Sequence, residues 1–74
     1  VNGYANRATW NVALWLSNDE GIYTALRDHF RCSTPTPPRV RVFCERTFGT
    51  ETPDGDKLSA VQWKEICRTV KELL

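Results

Sequence analysis

Seventy-four residues with 41% hydrophobic side chains, among them three Trp, three Phe and two Tyr, describe one small globular domain spanning 1–74 and exclude a disordered tail. The formal net charge of +1 is too small to argue for a strongly electrostatic role, and no apolar run approaches the length of a membrane span. Three cysteines, at 32, 44 and 67, leave at least one unpaired in a monomer and include no closely spaced pair, so reduced and mostly buried thiols are expected.

The N-terminal Val1-Asn2-Gly3-Tyr4 lacks the basic-then-apolar layout of a secretion signal, which leads to a soluble protein expected in the cytoplasm. Val1 in place of Met reads as a processed, trimmed or alternative start. Up to about Arg7 the arm is polar and is expected to dock through Tyr4. Helix 1 follows from about Ala8 to Ser17, capped by Asn6 or Thr9. Trp10, Ala13, Leu14 and Ser17 lie on one side of it, and Val12, Trp15, Leu16 and Asp19 on the other. Only Asn11 interrupts the apolar run from Trp10 to Leu16, so the helix is expected at the centre of the core, with one tryptophan as a candidate surface anchor.

Asn18 and Asp19 stop this helix and start the next, for which Ile22, Tyr23, Ala25, Leu26 and Phe30 give a helical stripe over about Asp19 to Arg31. Ser33-Thr34-Pro35-Thr36-Pro37-Pro38 is a break. Beyond it Val40, Phe43, Cys44, Thr47 and Phe48 share one face of a third helix, with Pro38 in its first turn and Gly49 as its stop. The alternation of Arg39-Val40-Arg41-Val42 resembles a strand but collapses at Phe43-Cys44. Thr52-Pro53-Asp54-Gly55 is turn chemistry, without the repeated acidic ligands of a calcium loop. The last helix is expected to open with Ser59 and Gln62 as a capping box and Leu58 and Trp63 as its hydrophobic staple. Trp63, Ile66, Cys67, Val70, Leu73 and Leu74 continue it as an apolar stripe. The fold class is therefore an all-α bundle of about four short helices.

Asn6, the run Thr9-Trp10-Asn11-Val12-Ala13-Leu14-Trp15-Leu16, and Asn18-Asp19-Glu20-Gly21-Ile22-Tyr23 resemble a family of small uncharacterised proteins encoded by bacteriophages, plasmids and other mobile elements. The signature reads N-x-x-T-W-N-V-x-L-W-x-x-N-D/E. Thr52-Pro53-Asp54-Gly55 and the final helix are similar more loosely, and Arg31 to Thr50 are not covered. The resemblance implies a genomic setting in which short proteins act by stoichiometric binding, one version being inhibition of a host defence complex such as a CRISPR effector.

The chemistry-bearing residues point the same way. One histidine, no paired carboxylates at helical spacing and no glycine-rich phosphate loop give no catalytic constellation, so no enzyme activity and no cofactor are expected. His29, Cys32, Cys44 and Cys67 would have to come from three separate elements to form a zinc site, which weighs against one. The leading expectation is a module that binds a host protein or ribonucleoprotein complex through Trp15, Asn18, Asp19 and Glu20, or through Arg39 and Arg46. The alternative is a small nucleic-acid-binding accessory protein using a strip of Arg27, Arg31, Arg39, Arg41 and Arg46, opposed by the modest net charge and the acidic stretches. A homodimer through the same face is a third outcome.

Overall fold

The computed structural model describes residues 2–74, so Val1, read above as an unusual start, lies outside the described residues. Four helices follow one another: α1 over Arg7–Asn18, α2 over Glu20–His29, α3 over Pro37–Phe48 and α4 over Trp63–Leu73, with a single 3-10 turn at Leu58–Ala60 before the last. The all-α bundle expected from the periodicities is the observed class, and residues 39–48 are helix, not strand.

Local chemistry sets most of the boundaries. Asn6 is the N-cap of α1, its Oδ1 accepting from Thr9 N–H at 2.9 Å, which settles the choice between Asn6 and Thr9. Asp19 ends α1 and caps α2 at once, accepting from Ile22 N–H at 2.9 Å. Thr36 caps α3, whose first two positions are the prolines 37 and 38, where a missing N–H removes no intrahelical bond. Gly49 closes α3 with φ 83° and donates its N–H to the Glu45 carbonyl at 2.9 Å. In the 50s loop, Gly55 takes φ 88° and donates to the Thr52 carbonyl, while Thr52 and Asp56 exchange N–H···O=C and N–H···Oγ1 bonds, giving a tight turn ending at an isolated Glu51–Lys57 bridge.

α1 is the central element. It packs on α2, on α4 and on the 3-10 turn, which is why its apolar side chains run almost all round. Val12 and Leu16 are fully buried together with Leu26 of α2, Val40 and Cys44 of α3, and Ile66 and Val70 of α4. Neither N-terminal indole is sealed inside: Trp10 and Trp15 are both half-buried. Tyr4 docks the arm as expected, with its hydroxyl 2.9 Å from Thr69 Oγ1.

Four expectations need correction. α2 stops at His29, so Arg31 lies beyond it, and Ala25 is exposed although the stripe placed it inward. The boundary follows from Phe30, which leaves helical geometry to enter the core. The capping box of Ser59 and Gln62 does not form: Gln62 is itself the N-cap of α4 and makes no side-chain cap bond. Burial of both Leu58 and Val61 winds residues 58–60 into the 3-10 turn, and the N–H of Gln62 is held from α1 by Thr9 Oγ1 at 2.9 Å. The Leu58–Trp63 staple loses its frame for the same reason, since Trp63 is the first residue of α4.

Thr9 has no exposed surface; its hydroxyl donates to Asn6 Oδ1 at 2.7 Å while accepting from Gln62. Thr9→Val keeps the shape and deletes both bonds, so chemical denaturation should register a loss of about 1–3 kcal/mol. A variant as stable as the parent would show that the hydroxyl does not join α1 to α4.

Candidate functional site

The polar residues of the N-terminal signature are largely engaged in holding the fold. Asn6 donates from Nδ2 to the Ala60 carbonyl at 2.8 Å. Asn11, only 1% exposed, donates from Nδ2 to Asp54 Oδ2 at 2.9 Å, and Trp15 Nε1–H reaches the same oxygen at 3.1 Å. One carboxylate oxygen thus ties the 50s turn to two successive turns of α1. The Asn11 Oδ1 atom has no partner among the described residues, so flipping the amide would set an oxygen against the carboxylate and gain nothing. The Asn11 and Trp15 hydrogen bonds, with a smaller contribution from the Arg7 guanidinium, hold the Asp54 carboxyl below the usual carboxylate range against a weaker opposing effect of desolvation.

Sequence reading treated Asp54 as plain turn chemistry and missed this role. The available signal was Asn11 itself: a lone amide in a buried apolar run requires a partner, and residues four apart on one helix face, here Asn11 and Trp15, can share it.

Of the first expected surface, Trp15, Asn18 and Asp19 line, with Leu14, a small open hollow of ≈ 210 Å³. Its hydrogen-bonding capacity is partly used, because Trp15 is bound to Asp54 and Asp19 to the start of α2. Asn18 and Glu20 are exposed, and Glu20 does not line the hollow.

The arginines separate into three groups. Arg27 and Arg31 line a hollow with Phe30 and Leu74; Arg31 is paired with Asp28 at 2.8 Å, and the Arg27 guanidinium lies 5.8 Å from the centre of the Tyr23 ring. Arg41 is paired with Glu45 at 3.2 Å one turn along α3. Arg39 and Arg46 share one flank of α3, line a single open hollow of ≈ 440 Å³ with His29, Ser33, Pro38 and Val42, and have no ion pair among the described residues. Val42 and Pro38 also border a second, more apolar hollow of ≈ 440 Å³ with Pro37, Arg41, Glu45 and Trp63. Val42, at the middle of α3, is 41% exposed. The outer face of α3 is therefore an apolar ridge between an unpaired arginine flank and a neutralised Arg41–Glu45 flank.

The thiols and the histidine are not brought together. Cys44 and Cys67 are buried, Cys32 and His29 are exposed, and among the described residues no group of three or more His, Cys, Asp or Glu is placed to hold a metal ion. The His29 ring packs edge-on to Phe30 and tilted over Phe43, with centroids 4.8 and 5.3 Å away. Burial, and secondarily the Glu45 carboxylate, push the Cys44 thiol up to about 12. Among the described residues no helix is long and apolar enough to cross a membrane.

The model of one protein family, described as a family of unknown function (DUF7249), matches residues 1–73. No curated protein and no solved structure matches the chain.

Two titrations check this geometry. Because the folded state depresses the Asp54 pKa, its contribution is present above the ordinary value of 3.8 and disappears as pH falls through the lower folded value. The Trp15 indole N–H resonance should therefore move only below 3.8, and should sit at its solvent-exposed position at all pH values in Asp54→Ala. An indole that titrates at or above 3.8 contradicts the link. Cys44 has the opposite sign: its raised pKa favours the fold fully below 9.0, and that contribution is lost as pH climbs toward about 12. Stability should fall over this range more steeply in the parent than in Cys44→Ala, and near neutral pH a thiol reagent should modify Cys32 alone until the chain unfolds.

Proposed function

The chain belongs to the DUF7249 family of unknown function, and from the arrangement of its own residues we propose that it acts by stoichiometric, non-covalent binding of a macromolecular partner through the outer face of α3. The observation that carries the reading is the pairing state of the arginines. Arg39 and Arg46 lie beside an exposed Val42 with no ion pair to either among the described residues, whereas Arg31 and Arg41 are each matched by a carboxylate on their own segment. A guanidinium left in water contributes little to the fold, but desolvated against a partner carboxylate it becomes a strong, directional contact. An apolar centre with charged flanks is the usual anatomy of a protein contact.

The Leu14, Trp15, Asn18 and Asp19 hollow supports the same class of function less well, because two of its polar groups are already bound within the fold. The resemblance of the N-terminal signature to mobile-element proteins supplies the proposed setting: a small phage-type protein in the bacterial cytoplasm that occludes a host defence complex, such as a CRISPR effector, by mass action. Phosphate binding by Arg39 and Arg46 is the second reading, favoured by their freedom and opposed by the exposed apolar Val42 between them, which a phosphate backbone does not use.

Replacing Val42 with a photoreactive residue in host cells should give a discrete protein adduct. Arg39→Glu combined with Arg46→Glu should lower its yield at least about tenfold at an unchanged melting temperature. Adducts from Asn18 instead would move the surface to the α1–α2 corner. Adducts with nucleic acid would favour the second reading, and no adduct from either position would refute binding by these faces.

A further inference from the structure

We infer that the segment recognised by this face is an acidic amphipathic helix of a partner protein, with one aliphatic or aromatic side chain seated on Pro38 and Val42 and two carboxylates, seven residues apart, pairing with Arg39 and Arg46. The inference rests on the α3 surface proposed above and specifies its occupant.

Spacing is the first argument. Arg39 and Arg46 are seven residues apart on one helix flank, which places their backbones about 10 Å apart. A second helix lying alongside presents residues i and i+7 on one face at the same interval. An extended segment repeats a face every second residue, at roughly 7 Å and then 13 Å, and brackets that interval without matching it. Nor is there a sheet among the described residues for such a segment to join.

Charge is the second. The start of α3 offers an anion little, because Pro37 and Pro38 carry no N–H, so a negative partner must be read by the guanidinium pair itself. The apolar ridge fits a protein side chain better than a phosphate backbone, which gains nothing from Val42. A second copy of this chain fits less well. Antiparallel α3 helices crossing at Val42 would set Arg39 against Glu45 of the second copy, a carboxylate already tied to Arg41, and would leave Arg46 opposite Pro38 without a carboxylate.

Selection of a displayed library of random peptides on the full chain tests this directly. The enriched sequences should be acidic, gain helical signal on binding, carry two carboxylates seven residues apart around an apolar residue, and shift the Val42 methyl resonances. Binding of the best peptide should weaken about tenfold or more in the double variant Arg39→Glu and Arg46→Glu, which should in turn select basic residues at the same two positions. Neutral or basic peptides that still shift Val42 would sink the acidic helix and leave the surface standing. Peptides that shift Leu14 and Trp15 instead would remove the surface itself. Tighter binding of a duplex oligonucleotide, self-association that competes with every peptide, or no enrichment at all would each overturn the inference.

Discussion

The knot made by Asn6 and Thr9 is the constraint on which the rest of the molecule depends. A chain of this size buries too little apolar surface to leave its ends loose, so the backbone groups at helix starts have to be joined across the structure. Asn6 caps α1 with Oδ1 and holds the Ala60 carbonyl with Nδ2; Thr9 completes the cap and accepts from the N–H of Gln62, the N-cap of α4. Two short side chains thereby fix where α4 begins, and hence how Ile66, Cys67 and Val70 meet Val12 and Leu16 in the core. Asp54 repeats the device one level along, fastening the 50s turn to α1 through Asn11 and Trp15.

What could be read in advance divides along the range of the interactions. Asp19, the prolines after Thr36, Gly49 and Gly55 act on their own neighbours, and each marks in the sequence the boundary or turn it makes in the fold. The α4 start was misread because its determinant, Thr9, lies more than fifty residues away, while Ser59 and Gln62 offered a local pattern that burial of Leu58 and Val61 overrode. Ala25 shows the limit of periodicity: a stripe says which residues align, not how wide a strip the neighbouring helices cover. At the surface, the seven-residue spacing of Arg39 and Arg46 was legible, but their lack of ion pairs was not, since that depends on where every carboxylate comes to rest.

This division changes what the signature means. Asn6, Thr9, Asn11 and Asp19 look like a recognition motif when read as a string, yet each spends its side chain on the fold. Trp15 keeps a half-exposed ring but has committed its only donor. α3 is built on the opposite plan. Val40, Phe43 and Cys44 anchor one face, Pro35 is buried just ahead of it, and the remaining face contributes almost nothing to the core. Substitutions on that outer face are therefore nearly free of folding cost, which separates the scaffold from the proposed contact surface within a single small bundle.

The electrostatics of that face also constrain how it would bind. Two arginines whose backbones lie about 10 Å apart are separated by roughly one Debye length at physiological salt, so each acts largely as its own contact and the pair makes no strong continuous positive field. With a net charge of +1 on the whole chain, long-range steering is correspondingly weak. Affinity must then come from desolvating the apolar ridge at Pro38 and Val42, with the arginines fixing register and rejecting partners of the wrong sign. A rigid helix with two prolines at its start and Val40, Phe43 and Cys44 locked in the core enters such a contact with its backbone entropy already lost on folding, and only the arginine side chains remain to be ordered.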